Sequence, residues 1–414
     1  MLQYCANSRS VMLKIRRGGN EYVSLLTSSY SEGVFLIEKY IVKEGIEMTN
    51  PFAKPPFKAD HVGSLLRPER LLQARQAYKE GKISKAELRT VENEEIARVV
   101  DKQIEIGLQA VTDGEFRRAF WHLDFLEHLN GIEGYVPERG LQFKGMETEP
   151  YDIRNVGKIS WNPNHPFIQD FIELKNIVAG RAIPKQTIPS PNQLFHLGIR
   201  NPEIYPTVEE YAEDVIQTYR DALKAFYNAG VRYLQMDDVY FAGLGAPDLF
   251  FYEQGYSRRE LIELAIYVMN SILKDRPEDL YVTTHLCRGN YRSTWAFEAN
   301  YGLIADKLFA EERVNGFFLE YDDERSGDFR PLKHIPEGGP QVVLGLVTSK
   351  RGELENKETI IARIQEASQY VPLEQLGLSP QCGFASTYHG NLLTEKDQWK
   401  KLQLIVEIAN EIWN

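Results

Sequence analysis

Short apolar strands alternate with amphipathic helices along most of this chain, and almost every strand ends on a polar side chain. Eight candidate strands follow one another from Phe57 on: FKADHVGS, AVTDGEF, AIPKQTIPSP, YLQMDDV, YVTTHLC, GFFLEYD, VVLGLVTSK and LGLSPQCGF. Helical segments separate most of them, and this alternation is typical of a parallel sheet with crossover helices. The pattern therefore predicts an α/β fold, either a closed TIM-type (β/α)8 barrel or an open doubly wound sheet.

The starts and ends of several helices are marked in the sequence. S/T-x-x-E capping boxes predict helix starts at Ser84, Thr207 and Ser257. Gly107 and Gly230 predict helix ends before a strand, because glycine adopts the left-handed conformation of a helix end without steric cost. The segment 130–180 is rich in Gly, Pro, Asn and aromatic residues. It predicts an insertion that carries a hairpin between the second and third strands.

The polar residues at the strand ends favour the barrel over the doubly wound sheet. Barrel enzymes assemble their active sites at the carboxyl ends of several strands at once. The side chains at these ends that are useful for chemistry are His61, Glu115, Asp237, His285, Cys287, Glu320 and Cys382. We therefore predict one TIM-type (β/α)8 barrel over residues 48–414, with the insertion between strands 2 and 3.

Residues 1–47 differ from the rest of the chain. Their short apolar runs follow no sustained period, and Met48 then opens the segment MTNPFAKPPFKADHVGS. Lys43, Glu44 and Gly45 can be encoded by AAG GAG GNN, which is a purine-rich ribosome-binding sequence just before the Met48 codon. We expect residues 1–47 to be an extension that the native protein lacks, which mass spectrometry of the native N-terminus would check. The alternative is a genuine, loosely docked N-terminal arm.

The charge balance excludes some classes of partner. The net charge is -11, from 48 basic and 59 acidic residues, and no local basic patch is present. This disfavours binding to nucleic acid or to an anionic membrane. Because the chain has neither a run of about 18 apolar residues nor a secretory signal, we expect a cytoplasmic protein. In that reducing compartment its few cysteines are more often free, catalytic or metal-bound than bridged.

Four residues at strand ends form a candidate metal site. His285 and Cys287 are two residues apart at a strand tip, so their side chains point to the same side. An H-x-C pair alone is more often a buried thiol beside a hydrogen-bonded histidine, but Glu320 and Cys382 end two further strands. The set of two sulfurs, one nitrogen and one oxygen suits zinc. Thiolate-rich zinc can hold a substrate thiolate at neutral pH, which predicts alkylation of a thiol, with Glu320 as the ligand that yields.

The motifs THLC, FFLE and SPQCGF resemble the zinc-ligand motifs of the cobalamin-independent methionine synthase family, in the same order and strand context. Residues from about 60 to 414 resemble the C-terminal catalytic barrel of that family. The resemblance implies zinc on His285, Cys287, Glu320 and Cys382. It also implies a methyltransferase that acts on homocysteine to form methionine, with 5-methyltetrahydrofolate or another methyl donor.

Further motifs imply residues that bind homocysteine. DHVGS resembles the first-strand motif whose backbone receives the carboxylate of homocysteine, which implies Gly63 and Ser64. DGEF and LQMDD resemble the two acidic strand ends that hold the amino group, which implies Glu115 and Asp237. His61 would orient a ligand, contact the substrate or form a hydrogen bond within the barrel mouth.

The sequence departs from the family pattern at three points. The chain holds one barrel where the full-length family has two, so it resembles the shorter single-barrel relatives. GLVTSKRGE stands where the family has a histidine that donates a proton, which leaves Ser349 or Lys350, with Lys350 assisting electrostatically. TIPSPNQLFHLGI lacks the tryptophan that stacks on the pterin, and Phe195 is the candidate replacement, although an aromatic there is more often part of the core. Core packing is also favoured over a lid for Trp121.

Three alternatives remain open from the sequence. A related barrel methyltransferase would take its methyl group from a corrinoid protein or from a methylated thiol or sulfonium compound. A zinc-free enzyme of the uroporphyrinogen decarboxylase type would need basic residues for substrate carboxylates, and Arg67, Arg117, Arg118 and Arg288 are candidates. Independently of the substrate, the structural alternative for Glu115 and Asp237 is an ion pair with a neighbouring arginine such as Arg117 or Arg118. A protein that sequesters homocysteine or zinc would bind the metal without turnover.

Overall fold

The computed structural model describes residues 54–196, 198–246 and 255–413, together with the backbone of three strands between residues 10 and 42. The chain divides into two compact units, Met1–Lys54 and Pro55–Asn414. In the first unit, an antiparallel sheet is formed by β1 (Ser10–Arg17), β2 (Asn20–Ser31) and β3 (Val34–Val42). The predicted start at Met48 lies outside the described residues.

Seven parallel strands form the main sheet of the second unit. They are β4 (Ala110–Val111), β9 (Ile183–Pro189), β10 (Tyr233–Asp238), β11 (Tyr281–Leu286), β12 (Gly316–Glu320), β13 (Gln341–Val347) and β14 (Leu376–Pro380). Each of these strands lies within or overlaps a predicted strand, and their order in the sheet is their order in the chain. A doubly wound sheet reverses its strand order at a switch point, and these seven strands have no such reversal. The protein is therefore an α/β protein with a curled parallel sheet.

The first predicted strand, FKADHVGS, is not a regular strand, and this corrects the predicted count of eight. Ala59 forms a single parallel bridge with Leu378 of β14. On the other side, the amide of Leu65 donates a hydrogen bond to the carbonyl of Gly114, just after β4, at 3.0 Å. The Asp60 amide still donates to the carbonyl of Leu378 at 3.1 Å, but the Asp60 carboxylate accepts hydrogen bonds from the amides of His61 and Phe57, at 2.7 and 3.3 Å, so those two amides are satisfied locally. The segment thus contacts both edge strands without forming a full ladder.

Helices connect the strands, and their apolar sides complete one large core. The caps at Ser84 and Ser257 are full capping boxes, and Thr207 accepts a hydrogen bond from the amide three residues on. Gly107 and Gly230 have φ of 96° and 106°, as predicted for helix ends. None of the helices in the described ranges combines the length and apolarity that a bilayer crossing requires. The α-helices are α1 (Glu69–Lys79), α2 (Lys85–Glu105), α3 (Leu123–Leu126), α4 (Pro166–Val178), α5 (Val208–Ala229), α6 (Tyr240–Leu244), α7 (Arg258–Leu273), α8 (Ala305–Glu311), α9 (Lys357–Ala367) and α10 (Glu395–Trp413).

The predicted insertion lies between β4 and β9 and contains two pairs of antiparallel strands, followed by helix α4. The longer pair is β5 (Asn130–Tyr135) with β8 (Asp152–Ser160), and the predicted hairpin is formed by β6 (Gln142–Phe143) with β7 (Met146–Glu147). The hairpin packs on the loop that follows β11. The amide of Lys144 donates to the carbonyl of Trp295 at 2.9 Å, and its ammonium lies 2.6 Å from the Glu298 carboxylate. These contacts connect the insertion to the loop that carries Cys287.

Candidate functional site

Three of the four predicted metal ligands meet at the carboxyl end of the curled sheet. His285 is the penultimate residue of β11, Cys287 directly follows that strand, and Cys382 follows β14. Their ligand atoms all lie within 4.8 Å of one another, and the two sulfur atoms are 3.4 Å apart. All three side chains are buried. The structure therefore brings together two thiols and one imidazole from two strands that are distant in sequence.

The surroundings of His285 fit a metal ligand. Its Nδ1 lies 3.3 Å from the carbonyl oxygen of Phe318, which makes Nδ1–H the donor. Its Nε2 is buried and has no hydrogen-bond partner among the described residues. A buried nitrogen without a partner is costly, but a metal-bound histidine has this arrangement, with one ring nitrogen held by a carbonyl and the other free for the ion. The hydrogen bond from Cys287 lowers the pKa of the Cys382 thiol well below its usual value, and His285 acts in the same direction. This donor set fits zinc.

Glu320 is not among the three clustered donors. Its Oε2 accepts a hydrogen bond at 3.1 Å from the amide of Arg288, the residue after Cys287. Its Oε1 lies 3.2 Å from Arg325 and 3.3 Å from Lys350. Although burial opposes ionisation, Lys350 and the two arginines lower the pKa of Glu320 to about 2. The carboxylate thus lies beside the cluster as a buried anion, and its role as a metal ligand stays a prediction.

Lys350 lies behind Glu320 and does not line the cavity described below. Its ammonium is 2.9 Å from Asp322 and 3.3 Å from Glu320, and it is buried. These two carboxylates raise the pKa of Lys350 in spite of its burial. The hydroxyl of Ser349 donates to the side chain of Gln381 at 2.9 Å. Lys350 is therefore placed for an electrostatic effect on Glu320.

A cavity of about 210 Å³ adjoins the three donors. Besides Glu320 and Lys350, two further predicted residues do not line it, His61 and Gly63. His61 is buried, and burial together with the charge of Lys185 lowers its pKa to about 4. Gly63 lies behind the wall with φ of 145°, where a Cβ atom would be 2.7 Å from Thr187 and 3.2 Å from the Glu115 carboxylate. The predicted residues that line the cavity are Ser64, Glu115, Asp237, His285, Cys287 and Cys382.

Two buried carboxylates face this cavity with unused hydrogen-bonding capacity. Glu115 has φ of 59°, which is unusual for a residue with a Cβ atom. Its Oε1 accepts from Thr187 at 2.7 Å and lies 3.3 Å from Arg118, whereas its Oε2 is buried without a partner in the described part of the chain. Asp237 accepts from Gln235 at 2.6 Å. Burial raises the pKa of both carboxyls, that of Asp237 to about 7. The pair can bind a cationic group. Arg118 neutralises the charge of Glu115 only in part, because it contacts Oε1 and leaves Oε2 without a partner.

The arginines proposed for a polycarboxylate substrate are engaged elsewhere. Arg67 and Arg288 donate to backbone carbonyls, Arg117 pairs with carboxylates on α4, and Arg118 pairs with Glu115. Within the described ranges, no lysine or arginine lines the cavity. The cavity therefore does not present the cations that a decarboxylase of porphyrin carboxylates would need.

Several residues of the cavity wall were not predicted. Trp121 lines the cavity rather than packing wholly in the core, whereas Phe195 packs in the core against Tyr211, with ring centroids 5.4 Å apart. The wall residues lie in the insertion and in loops, where hydrophobic periodicity carries no signal. The aromatic and neutral polar residues that sequence reasoning missed or misplaced include Phe120, Trp121, His122, Phe143, Tyr151, Gln193, Asn290, Tyr291 and Phe297.

Known proteins with similar sequences belong to the family that the zinc-ligand motifs THLC, FFLE and SPQCGF indicate. A sequence model described as "Cobalamin-independent synthase, Catalytic domain" matches residues 57–138 and 206–411. The uncharacterized protein YxjH of Bacillus subtilis (strain 168) is 48% identical over 89% of this chain and 97% of its own length. A methionine synthase of Sulfolobus acidocaldarius is 23% identical over 78% of this chain and 84% of its own.

A solved structure shows the same relationship in three dimensions. The putative vitamin-B12 independent methionine synthase from Listeria monocytogenes is 42% identical, with a TM-score of 0.72 over 88% of this chain and 100% of that one. The family predicted from the zinc-ligand motifs is thereby confirmed. The chain belongs to the cobalamin-independent methionine synthase catalytic-domain family.

Proposed function

We propose that this protein is a zinc-dependent methyltransferase that transfers a methyl group to the thiol of homocysteine and forms methionine. The observation that carries the proposal is the buried cluster of His285, Cys287 and Cys382 in one cavity with two carboxylates. These three residues would hold zinc, and Glu320 would be the fourth and weakest ligand. Because Lys350 also contacts the Glu320 carboxylate, Glu320 is the ligand most readily exchanged for the substrate sulfur.

Zinc bound here would keep the acceptor thiol deprotonated at neutral pH, where a free thiol with a pKa of about 8.5 is mostly protonated. The residues of the chain place that thiol. Glu115 and Asp237 would bind the ammonium group of homocysteine, and the backbone of Ser64, which lines the cavity, would receive its carboxylate, with Gly63 supporting it from behind the wall. An atom added at Gly63 would be 3.2 Å from Glu115, so the two subsites adjoin, as an α-amino acid requires. His61 has no contact with the substrate in this arrangement.

We also infer that the curled sheet closes into a (β/α)8 barrel, with residues 57–65 in the place of the first strand. The bridge from Ala59 to β14 and the hydrogen bond from Leu65 to the segment after β4 support this closure. Closure matters for function, because it brings the ends of the first and last strands to the same mouth. Ser64 and Cys382 line one cavity for this reason.

The proposed function is tested by zinc content and by X-ray absorption. We expect about one zinc per chain in the wild type and a large loss in Cys382→Ser. Ser386→Ala provides the control, since it changes a side chain of the same cavity, 3.9 Å from the Cys382 sulfur, that is not a predicted ligand, and it should retain the metal. Homocysteine should add one sulfur to the zinc environment. A wild-type protein without stoichiometric zinc would overturn the proposal.

The choice of acceptor is tested separately. Homocysteine should be methylated much faster than 4-mercaptobutyrate, a thiol of the same length without the ammonium group. Equal methylation rates for the two thiols would show that Glu115 and Asp237 do not recognise the ammonium group of homocysteine. Enzyme-bound zinc without any thiol methylation would instead support a sequestering protein.

A further inference from the structure

Aromatic side chains form much of the cavity wall next to the metal-binding cluster. Four of them come from the insertion and from the segment just before α3, and two come from the loop that follows β11. Phe120 and Tyr151 stack with centroids 6.1 Å apart, and Phe143 lies 5.4 Å from Tyr291. The faces of aromatic rings carry partial negative charge and attract cations. The six rings are Phe120, Trp121, Phe143, Tyr151, Tyr291 and Phe297.

The charged side chains of the wall have the same sign. The carboxylates that line the cavity are Glu115, Asp152 and Asp237, and the described wall contains no lysine or arginine. The stretch 247–254, outside the described residues, also contains neither in its sequence. Asp152 is half-buried, accepts a hydrogen bond from its neighbouring amide at 2.8 Å, and forms no salt bridge within the described ranges. It stands beside Tyr151, on the aromatic side of the cavity.

We propose that the methyl donor of this enzyme is a sulfonium cation, which the aromatic wall and Asp152 bind next to the acceptor thiol. The proposal rests on the proposed methylation of homocysteine and names its second substrate class. Aromatic rings with an uncompensated carboxylate recognise a compact cation, whereas a donor with several carboxylates finds no basic partner here. The cavity of about 210 Å³ is also smaller than the roughly 300–1,000 Å³ of ordinary ligand pockets, which favours a compact donor.

The transfer balances without a proton donor. The homocysteine thiolate attacks the methyl carbon, and a new sulfur–carbon bond forms. The bond between that carbon and the sulfonium sulfur breaks, and its electron pair stays on the leaving sulfur, which departs as a neutral thioether. A methyl group carried on a pterin nitrogen would instead leave a nitrogen anion that has to be protonated. Ser349 and Lys350, which stand where the family has its proton-donating histidine, do not line the cavity.

A donor comparison with the zinc-loaded full chain and homocysteine tests this proposal. S-methylmethionine and trimethylsulfonium are the sulfonium probes, and the mono- and triglutamates of 5-methyltetrahydrofolate and methylcobalamin are the competitors. Methyl iodide is included because it alkylates an activated thiolate without a donor site. We expect saturable turnover with at least one sulfonium probe and none with the folates.

The methyl iodide reaction separates the two proposals. If the enzyme accelerates methylation of homocysteine by methyl iodide but reacts with neither sulfonium probe, the donor proposal is wrong and the proposed function stands. If the enzyme accelerates neither reaction, both are overturned. Turnover with a folate or with methylcobalamin in place of the sulfonium probes would also refute the donor proposal.

Variants of the wall distinguish cation binding from a structural role. Tyr151→Leu and Asp152→Asn should each raise the KM for the sulfonium by roughly 2- to 30-fold, with the KM for homocysteine unchanged. Tyr135→Leu is the matched control, because Tyr135 lies opposite Asp152 in the β5–β8 pair and does not line the cavity. Tetramethylammonium should compete with the sulfonium and not with homocysteine. An equal rise in both KM values would indicate a structural role and refute the assignment.

Discussion

Replacing Asp237 by asparagine should stabilise the metal-free protein while it weakens the binding of homocysteine. The carboxyl is 6% exposed, and burial raises its pKa from 3.8 to about 7. The folded protein therefore binds this proton more tightly than the unfolded chain does. Because the folded-state pKa is the higher one, the contribution of Asp237 to stability is complete below pH 3.8. It is lost as the pH rises through 7.

The size of the effect follows from the two pKa values. A difference of about 3 between them corresponds to about 4 kcal/mol at pH values above 7. At pH 5, which is about 1.2 units above the unfolded pKa, the wild type has lost about 1.6 kcal/mol, because the unfolded chain has released this proton and the folded protein still keeps it. The gain from Asp237→Asn should thus grow by roughly 2.5 kcal/mol between pH 5 and pH 8. The asparagine oxygen can still accept from Gln235, and its amide offers a donor to the Gln235 Oε1 atom, which is buried without a partner in the described chain.

Urea denaturation of the metal-free protein at pH 5, 6.5 and 8 measures this gain. Asp101→Asn is the control, because it makes the same chemical change at a side chain that is 62% exposed. In the zinc-loaded protein, Asp237→Asn should raise the Kd for homocysteine roughly 10- to 100-fold, since a charge-assisted hydrogen bond is lost. A stability difference that is the same at pH 5 and pH 8, or an unchanged affinity for homocysteine, would refute the reasoning.

Three further predictions concern the core, the substrate subsite and the metal. Lys185→Met should destabilise the protein by about 3–5 kcal/mol in urea denaturation, because the buried carboxylate of Asp60, 3.1 Å away, loses its cation. Adding Asp60→Asn to Lys185→Met should restore much of the lost free energy of unfolding. A double variant as unstable as Lys185→Met would show that the unpaired Asp60 carboxylate is not the cause. Gly63→Ala should cost about 1–3 kcal/mol and raise the KM for homocysteine, because its Cβ would meet Thr187 at 2.7 Å. Wild-type kinetics would rule out this steric effect. His285→Ala should lower the zinc content well below one per chain, as measured by atomic absorption, and full retention would remove the imidazole from the ligand set.

The order of helices and strands was predictable because each element carries its own local signal. The capping boxes at Ser84 and Ser257 form as predicted, and seven of the eight predicted strands appear in chain order. The first strand could not be predicted in detail, since the amides of Phe57 and His61 donate to the Asp60 side chain and are not left for a regular ladder. Asp60 also pairs with Lys185, a residue 125 positions away. No local pattern reports a contact between residues that far apart.

The sequence by itself determined which donor atoms stand at the strand ends, because the carboxyl ends of parallel strands share one side of a sheet. Tertiary structure decided which of them meet. It brings Cys287 and Cys382 to 3.4 Å across 95 residues, while nearby cations hold Glu320 beside the cluster. It also decided the aromatic wall, which comes from the insertion and from the loop after β11. Those segments lack a periodic pattern, and contacts such as the hydrogen bond from Lys144 to Trp295 place them only once the chain has folded.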